Sequence, residues 1–309
     1  MKKFSITLLI LIIGLGITSC SKHDDLSSQF EYHEGLEREL LFVTANSAMM
    51  YGSADYFALI TEDKTLLETP NNIKKALELV YSGSSDKVMM SYYLQKYQEY
   101  EYLDGLLITG LKPNTIYYYI IMYQNYAGTP RAYFRYGPIN SFTTDKEITE
   151  TVDLGLSVKW RGYNLGADTP YETGSEYMWG YTKPGYVSTP NYPIEKDIIN
   201  TEYDAAHVEL GGNWRMASYL EGEELAEKCK VEKVICTARD NGIIFGFSVT
   251  GPSGNKIFVP MSDPNTSNPS VFVTCRFWIG YDHNYYSAYN SHTGTGGEKY
   301  MLPIRAVID

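Results

Sequence analysis

Apolar residues in positions 30–145 come in short runs that are separated by turn residues. The runs are rich in β-branched and aromatic side chains, and turns such as Tyr81-Ser-Gly-Ser-Ser85 lie between them. Short strands at this spacing predict an all-β sandwich. In the clearest alternation, Tyr117 and Tyr119 fall on one face of a strand and Tyr118 falls on the other. The other predicted strands are Leu40–Thr44, Tyr56–Ile60, Ala76–Tyr81 and Val88–Leu94.

The pattern changes after residue 151, where helical and strand-like segments are mixed. Asp204–Leu210 is predicted as a short helix that ends at two glycines. Ser218 and Glu221 have the spacing of a capping box, and the helix is expected to continue to Cys229. Two paired strands are predicted around a Gly-Pro-Ser-Gly turn, at Ile243–Val249 and Lys256–Pro260.

The segment between the halves, residues 146–151, is polar and has no aromatic side chain, so it is predicted as a linker. The sequence therefore predicts two domains, an all-β sandwich at 30–145 and an α+β domain at 152–309.

The N-terminus has the order of a secretory signal. Lys2 and Lys3 are followed by an apolar stretch at 4–18, and small residues precede Cys20. The stretch is short for a membrane-spanning helix, which takes about 20 apolar residues. It fits the apolar region of a signal peptide that is removed after export.

Ile17-Thr18-Ser19-Cys20 resembles a bacterial lipobox. The resemblance implies that 1–19 is a lipoprotein signal peptide, that the thiol of Cys20 carries lipid, and that 20–29 is a lipidated tether. Two or more acyl chains hold a protein stably on a membrane. Ser21–Asp25 resembles the surface-export signal of Bacteroidetes lipoproteins, which implies an outer membrane lipoprotein exposed on the cell surface. The alternatives are a plain secretory peptide and a solvated tether.

The composition of the chain limits the kinds of partner that we expect it to bind. Without residues 1–19 the chain keeps 290 of its 309 residues, a length natural for two domains. Its formal charge moves from −11 to −13 because Lys2 and Lys3 are lost. Such acidity argues against nucleic acid as a partner, since the phosphate backbone is also anionic. The 29 tyrosines suit half-buried strands and also suit recognition surfaces.

The first half resembles the fibronectin type III family. The motif is Leu111-x-Pro113-x-Thr115-x-Tyr117, and the segment 136–144 is similar to the last strand of many bacterial modules. The resemblance covers about 76–145, and the usual early core tryptophan is absent. It implies a tyrosine corner, in which the Tyr117 hydroxyl bonds to backbone a few residues upstream. Such modules serve as spacers or as binding scaffolds.

The second half contains a series of short motifs, which are Val152–Trp160, Asn164–Ala167, Gly174–Gly180, Tyr203–Ala206, Gly211–Met216 and Ile304–Val307. In this order they resemble the Fibrobacter succinogenes major paralogous domain. The resemblance implies a C-type-lectin-like fold, with paired terminal strands, two helices beside a small sheet, and a long functional loop region. The tryptophans Trp160, Trp179, Trp214 and Trp278 are expected to be structural.

The chain departs from the family at Ala217-Ser218 and at Trp278–Asp282. These departures indicate that the binding loops have diverged, so the family resemblance does not name a ligand.

Candidate chemistry is sparse. His207 lies near Asp204 and His283 follows Asp282, but no serine or cysteine lies in a recognisable nucleophile motif, so we expect a protein that is not an enzyme. No C-x-x-C or H-E-x-x-H spacing is present, and no metal site is predicted. A calcium site is kept as an alternative, because Asp263–Asn265 and Asp282–Asn284 offer oxygen ligands. The preference of turns for Asp, Asn and Pro also explains why these residues occur there.

The cysteines Cys229, Cys236 and Cys275 allow at most one disulfide, whose pairing stays open. Cys275 is expected to be a buried structural cysteine, since free cysteines are among the most buried residues.

The segment after Trp278 is crowded with aromatic side chains on a polar background. Aromatic faces stack on the apolar side of sugar rings, and hydroxyls bond to their rims. The sequence thus favours a surface protein that binds an extracellular glycan or protein. The alternative is a structural component of a surface or fimbrial assembly without a small ligand. The predicted ligand-binding residues are Tyr281, Asp282, His283, Asn284 and Tyr285.

Overall fold

The chain folds as a β-rich protein with few helices, which make up 14% of it. The structure is a computed structural model, and it divides into two compact units between Lys146 and Glu147. Cys20 and Cys275 lie outside the described residues, as do the predicted signal peptide and tether. The structure describes residues 30–84, 87–98, 101–125, 133–188, 190–193, 196–237, 243–261, 276–288, 292–295 and 300–309.

The described residues of the first unit contain ten strands, one α-helix and one 3-10 helix. They are β1 (Phe30–Tyr32), β2 (Leu40–Val43), β3 (Ser47–Met50), β4 (Tyr56–Thr61), the 3-10 helix Lys64–Leu67, α1 (Pro70–Ser82), β5 (Val88–Met90), β6 (Tyr92–Gln98), β7 (Glu101–Thr109), β8 (Ile116–Asn125), β9 (Tyr133–Tyr136) and β10 (Asn140–Thr143).

Two sheets form this unit. One has the order β1-β9-β8-β4-β5, with β10 also paired to β8, and the other has the order β2-β3-β7-β6. All pairs are antiparallel except β1 with β9. Alternate side chains of β4 and β8 meet those of β3 and β7 in one buried cluster. That cluster includes Ala48, Met50, Ala58, Ile60, Leu106, Ile108, Tyr117 and Ile121.

The opposite face of the first sheet is covered by helix α1, and the predicted strand at Ala76–Tyr81 is wrong. The Thr69 side chain accepts the backbone N–H of Asn72, and Gly83 ends the helix with φ of 61°. Residues spaced three and four apart put an apolar stripe on the sheet. The buried residues of the helix are Ile73, Ala76 and Leu77.

Tyr117 closes the crossover between the sheets. The Lys112 backbone N–H donates to its hydroxyl at 3.0 Å, and its ring stacks on Phe142 with centroids 5.8 Å apart. The hydroxyl of Thr144 donates to the Lys112 carbonyl at 2.6 Å. These contacts tie the start of β8 to the end of β10 in the geometry of a tyrosine corner.

In the part of the second unit that the structure describes, there are two α-helices and four small sheets. The sheet orders are β11-β12-β22-β14, β13-β21, β15-β16-β17 and β18-β19-β20. The elements are β11 (Thr151–Val152), β12 (Lys159–Arg161), β13 (Tyr177–Met178), α2 (Ala205–Leu210), β14 (Arg215–Met216), α3 (Tyr219–Lys228), β15 (Lys230–Thr237), β16 (Ile243–Thr250), β17 (Lys256–Pro260), β18 (Arg276–Trp278), β19 (Asn284–Ser287), β20 (His292–Thr295), β21 (Met301–Leu302) and β22 (Ala306–Ile308).

Three local predictions for this unit are confirmed. Asp204 caps α2, and Gly211 follows its last residue. The capping box of Ser218 and Glu221 is present at the start of α3. Strands β16 and β17 pair as an antiparallel hairpin. No helix among the described residues is long and apolar enough to span a bilayer.

The predicted linker is shorter than 146–151. Ile148 packs against the buried cluster that contains Trp160, and Thr151 begins β11. The Gly162 N–H also donates to the Glu150 carbonyl at 2.7 Å. Apolar burial and backbone bonding therefore bring residues from 148 onward into the second unit.

Three of the four tryptophans are almost wholly buried, namely Trp160, Trp179 and Trp278, and Trp214 is half-buried. The Trp278 indole N–H donates to the Tyr177 carbonyl at 2.7 Å, so the ring holds β18 against β13. Trp160 packs edge-on to Phe277, with ring centroids 5.7 Å apart. Packing between large side chains thus holds these short strands together, because small sheets are not stable by themselves.

A buried guanidinium joins distant segments of the same unit. Arg305 donates to the Asn164 side chain, the Gly162 carbonyl and the Phe258 carbonyl, each at 2.9 Å. Burial first, and then the charge of Arg161, lower the pKa of Arg305 to about 9. These contacts give the segments around residues 162–164 and 304–307 a structural role.

Candidate functional site

Strands β18 and β19 are joined by a tight turn at residues 281–284. The Asn284 N–H donates to the Tyr281 carbonyl at 2.8 Å, which closes the turn. Its two central residues, Asp282 and His283, have φ values of 42° and 58°. Positive φ at both positions is the pattern of a type I′ hairpin turn, which usually takes Asn-Gly or Asp-Gly. A non-glycine residue in this region costs on the order of 1 kcal/mol or more, and such strain clusters at functional sites.

A neighbouring segment at 196–198 holds the turn in place. The Asp282 N–H donates to the Lys196 carbonyl at 2.7 Å, and the Ile198 N–H donates to the Gly280 carbonyl at 3.0 Å. The Lys196 ammonium also lies 2.9 Å from the Asp282 carboxylate. Gly280 permits this approach, because a Cβ there would lie 2.6 Å from Ile199. The strained backbone is therefore fixed from outside the hairpin.

His283 faces inward from the turn. Its ring stacks on Trp179 with centroids 4.3 Å apart, and Tyr192 meets it edge-on at 5.0 Å. The Trp179 indole donates to the Ile279 carbonyl at 3.1 Å. His283 was predicted to contact ligand, and the structure instead gives it the contacts of an anchor for the turn.

The predicted binding residues separate into two groups. Tyr281 is 40% exposed and the Asp282 side chain is 41% exposed, so both are open to solvent. Asn284 and Tyr285, which were also predicted to bind ligand, are buried. The reason is that they belong to β19, which is paired on both sides by β18 and β20.

Tyr285 packs in the core cluster that also contains Trp278. The Arg276 guanidinium lies 4.6 Å from the centre of its ring, which further covers it.

Two residues complete the exposed part of the site and were missed by sequence reasoning. Tyr219, the first residue of α3, is 39% exposed, and its ring centre lies 6.4 Å from that of Tyr281. Lys196 comes from the loop beside the turn. Both are far from the turn in sequence, so no local pattern joins them to it. The only available signal was the pair Tyr219-Leu220, apolar residues placed directly after a helix cap.

Lys196 and Asp282 remain charged at ordinary pH. The hydrogen bond from Lys196 is the main cause that lowers the pKa of Asp282. The same bond raises the pKa of Lys196, and the Tyr281 hydroxyl adds a weaker contribution. An exposed ion pair of this kind stabilises a fold little. The Lys196 and Asp282 side chains are 67% and 41% exposed, so their charged groups are open to a ligand.

The oxygen atoms considered for calcium in the turn have other partners. The Asp282 carboxylate pairs with Lys196, and the Asn284 side-chain oxygen accepts from the Thr295 hydroxyl at 3.1 Å. Within the described residues, no group of three or more His, Cys, Asp or Glu side chains could hold a metal ion. The other segment, Asp263–Asn265, lies outside them.

Asp204, which was considered beside His207 in the sequence, uses its side chain to accept hydrogen bonds from the backbone. Its buried carboxylate accepts the N–H groups of Asn200, His207 and Met216 at 3.0–3.2 Å. This arrangement caps α2 and ties it to β14. The carboxylate is thus a structural acceptor for three amides.

Comparison of the chain with protein-family models, curated proteins and solved structures finds no match in any of the three. The function is therefore inferred from the geometry of the turn and its surroundings.

Proposed function

We propose that this protein is a lipid-anchored surface protein of a Bacteroidetes-type bacterium that binds an extracellular glycan or protein without catalysing a reaction. The observation that carries the proposal is the turn at 281–284, a strained backbone that is fixed from several sides and exposes Tyr281 and Asp282. Rigid, exposed aromatic residues make contact at low entropic cost. The turn therefore has the properties of a preorganised binding element.

The first unit is proposed as a fibronectin type III-like spacer. The chain enters at β1, beside β9 and the far end of β8, and leaves after β10, beside the start of β8. Strand β8 has ten residues, which corresponds to about 33 Å. Entering and leaving at opposite ends suits a module that separates a tether from whatever follows it. The assignment to a fibronectin type III-like module is also supported by its two sheets, which have the strand orders β2-β3-β7-β6 and β5-β4-β8-β9.

The second unit is proposed as a C-type-lectin-like domain. Strand β12, near its beginning, pairs antiparallel with β22, at its end. Helices α2 and α3 accompany the small sheets. Paired terminal strands and two helices are the features that the family resemblance implies, and they support this fold.

The location is proposed from the N-terminus. The lipobox-like Ile17-Thr18-Ser19-Cys20 supports a lipid anchor in the outer membrane, and Ser21–Asp25 supports exposure on the cell surface. The formal charge of −11 supports partners other than nucleic acid.

The binding function is tested by applying the full chain to arrays of surface glycans and of extracellular proteins. Tyr281→Ala should weaken retention of the ligand, whereas Tyr186→Ala, at a tyrosine elsewhere in the unit that is 55% exposed against 40% for Tyr281, should leave it unchanged. If the wild-type chain binds no glycan and no protein on the arrays, the proposal is contradicted and a structural component of a surface assembly is favoured.

A further inference from the structure

We propose that the exposed part of this site takes a neutral glycan. We call it the tyrosine platform, and it consists of Tyr219, Leu220, Tyr281, Asp282 and Lys196. The inference rests on the proposed function and names the chemical class of the ligand. It adds two elements to the turn, the first residues of α3 and the loop at Lys196.

Two tyrosine rings form the apolar part of the platform. The rings of Tyr219 and Tyr281 lie 6.4 Å apart between centres and are tilted by 55°, so they make an open angle. Leu220, the next residue of α3, is 77% exposed and adds apolar surface next to Tyr219 in the chain. A pyranose ring has an apolar face of C–H groups that fits the negative face of an aromatic ring. The open angle lets one sugar ring stack on one tyrosine while its edge meets the other.

The ion pair supplies the polar part. Lys196 carries three N–H donors and uses one on an oxygen of Asp282, at 2.9 Å. Asp282 keeps acceptor capacity on its second oxygen, which is 3.9 Å from the His283 ring nitrogen. A sugar hydroxyl both donates and accepts. Neighbouring hydroxyls on one ring can therefore bond to the ammonium and the carboxylate together.

The charge and the small size of the platform favour a neutral glycan over an anionic glycan or a protein. Asp282 and the formal charge of −11 on the chain oppose a glycan that carries carboxylates or sulfates. A specific protein interface takes about 20–30 residues on each side, far more than the platform offers. A neutral glycan requires only the stacking faces and hydroxyl partners that are present.

The platform is also rigid before any ligand binds. Ser218 caps α3 directly before Tyr219, and the capping box with Glu221 is complete. The Asp282 N–H is held by the Lys196 carbonyl, so both halves of the ion pair sit on fixed backbone. Rigid contact groups reduce the entropy lost on binding.

The test is affinity electrophoresis of the full chain in gels that contain one polysaccharide each. Mixed-linkage β-glucan, galactomannan and galactan are the neutral probes, and polygalacturonate and hyaluronan are the anionic ones. We expect a neutral probe to retard the protein equally at low and high salt, since screening acts only on charges.

Tyr281→Ala, Tyr219→Ala and Lys196→Met should each weaken this retention about 2- to 12-fold. Tyr186→Ala is the matched control and should not change it. The variants Tyr281→Gln and Tyr219→Gln remove the ring but keep a polar side chain, and they replace any alanine variant that melts early.

Each other outcome overturns a specific part of the proposal. If a neutral polysaccharide retards Tyr281→Ala and Tyr186→Ala equally, the protein binds glycan but the tyrosine platform is not the site. Salt-sensitive retention by anionic probes alone would overturn the neutral class, and its loss in Tyr281→Ala would still support the site. If no polysaccharide retards the protein, the glycan class is wrong, and a Tyr281-dependent signal on the protein array would uphold the proposed binding function.

Discussion

Asp282 and His283 are neighbours with the same left-handed backbone, but their side chains make opposite contacts. The His283 ring is stacked on Trp179, while the Asp282 carboxylate meets an exposed ammonium. One side chain therefore anchors the turn, and the other is offered to solvent. Both were predicted from the sequence to bind ligand, because the pattern of residues along a chain does not show which ring an imidazole will contact.

His283→Ala should lower the free energy of unfolding by about 0.5–1.5 kcal/mol, through the lost ring stacking. Asp282→Asn should leave the melting temperature unchanged, because asparagine tolerates the left-handed region and the lost ion pair is exposed. Thermal melts of the full chain check both. An equal loss in Asp282→Asn would mean that the ion pair, rather than the imidazole, holds the turn.

Tyr117→Phe should destabilise the first unit by about 1 kcal/mol, because the Lys112 N–H then loses its buried acceptor. Tyr51→Phe removes an exposed hydroxyl and serves as the control. Urea denaturation of the full chain, with amide exchange read in β8, measures the difference. Equal exchange in the two variants would show that the tyrosine corner contributes nothing to stability.

Among the elements, those with local signals were predicted and those defined by distant contacts were not. The capping box of α3 lies within four residues, and the turn between β16 and β17 lies directly between its strands. Helix α1 was missed, because six apolar-rich residues at 76–81 match a strand in length. Its helical signals, Thr69-Pro70 before it and Gly83 after it, lie outside that run.

Helix α3 also carries two carboxylates that titrate with folding. Burial by itself raises the pKa of Glu221, but hydrogen bonds from Arg215 and from the Ser218 N–H outweigh it and lower that pKa below 4.5. Burial likewise opposes ionisation of Glu224, whose pKa is nevertheless brought to about 2, chiefly by Lys228. Both groups therefore have folded pKa values below their unfolded value of 4.5.

A lowered folded pKa adds stability above the unfolded pKa, and that stability is lost as the pH falls through the folded value. The melting temperature of the second unit should therefore decline as the pH drops from about 5 towards 2. Glu221→Gln combined with Glu224→Gln should flatten this decline, although it lowers stability at pH 7. Calorimetry across this range checks it, and an unchanged slope in the double variant would contradict the assignment.

At the scale of the whole molecule, the sequence predicted an all-β sandwich followed by an α+β domain, and the structure confirms the coarser statement that the chain is β-rich with few helices. The platform could not be predicted as a unit. Its members Lys196, Tyr219 and Tyr281 come from three separate segments, and only the packed fold brings them together. Likewise, the buried contact of Arg305 with Asn164 joins residues at opposite ends of the second unit.

The proposed lipid anchor at Cys20 belongs to this scale as well. Cys20→Ala should abolish incorporation of labelled fatty acid and leave unprocessed or released protein, because the thiol is the lipid acceptor in a bacterial lipoprotein. Cys229→Ala, at the half-buried thiol of the second unit, is the control and should incorporate label normally. A Cys20→Ala protein that still carries fatty acid and fractionates with membranes would refute the anchor.

The central claim is that ligand meets the protein at the turn of residues 281–284. A photoreactive benzoylphenylalanine placed at Tyr281 in the full chain, on cells, tests it whatever the identity of the ligand. A second chain with the same group at Tyr186 is the reference. The account predicts a covalent adduct at position 281 that is absent at 186. Degradation of that adduct by periodate would identify the ligand as a glycan. Equal labelling at both positions, or adduct formation only at 186, would contradict it.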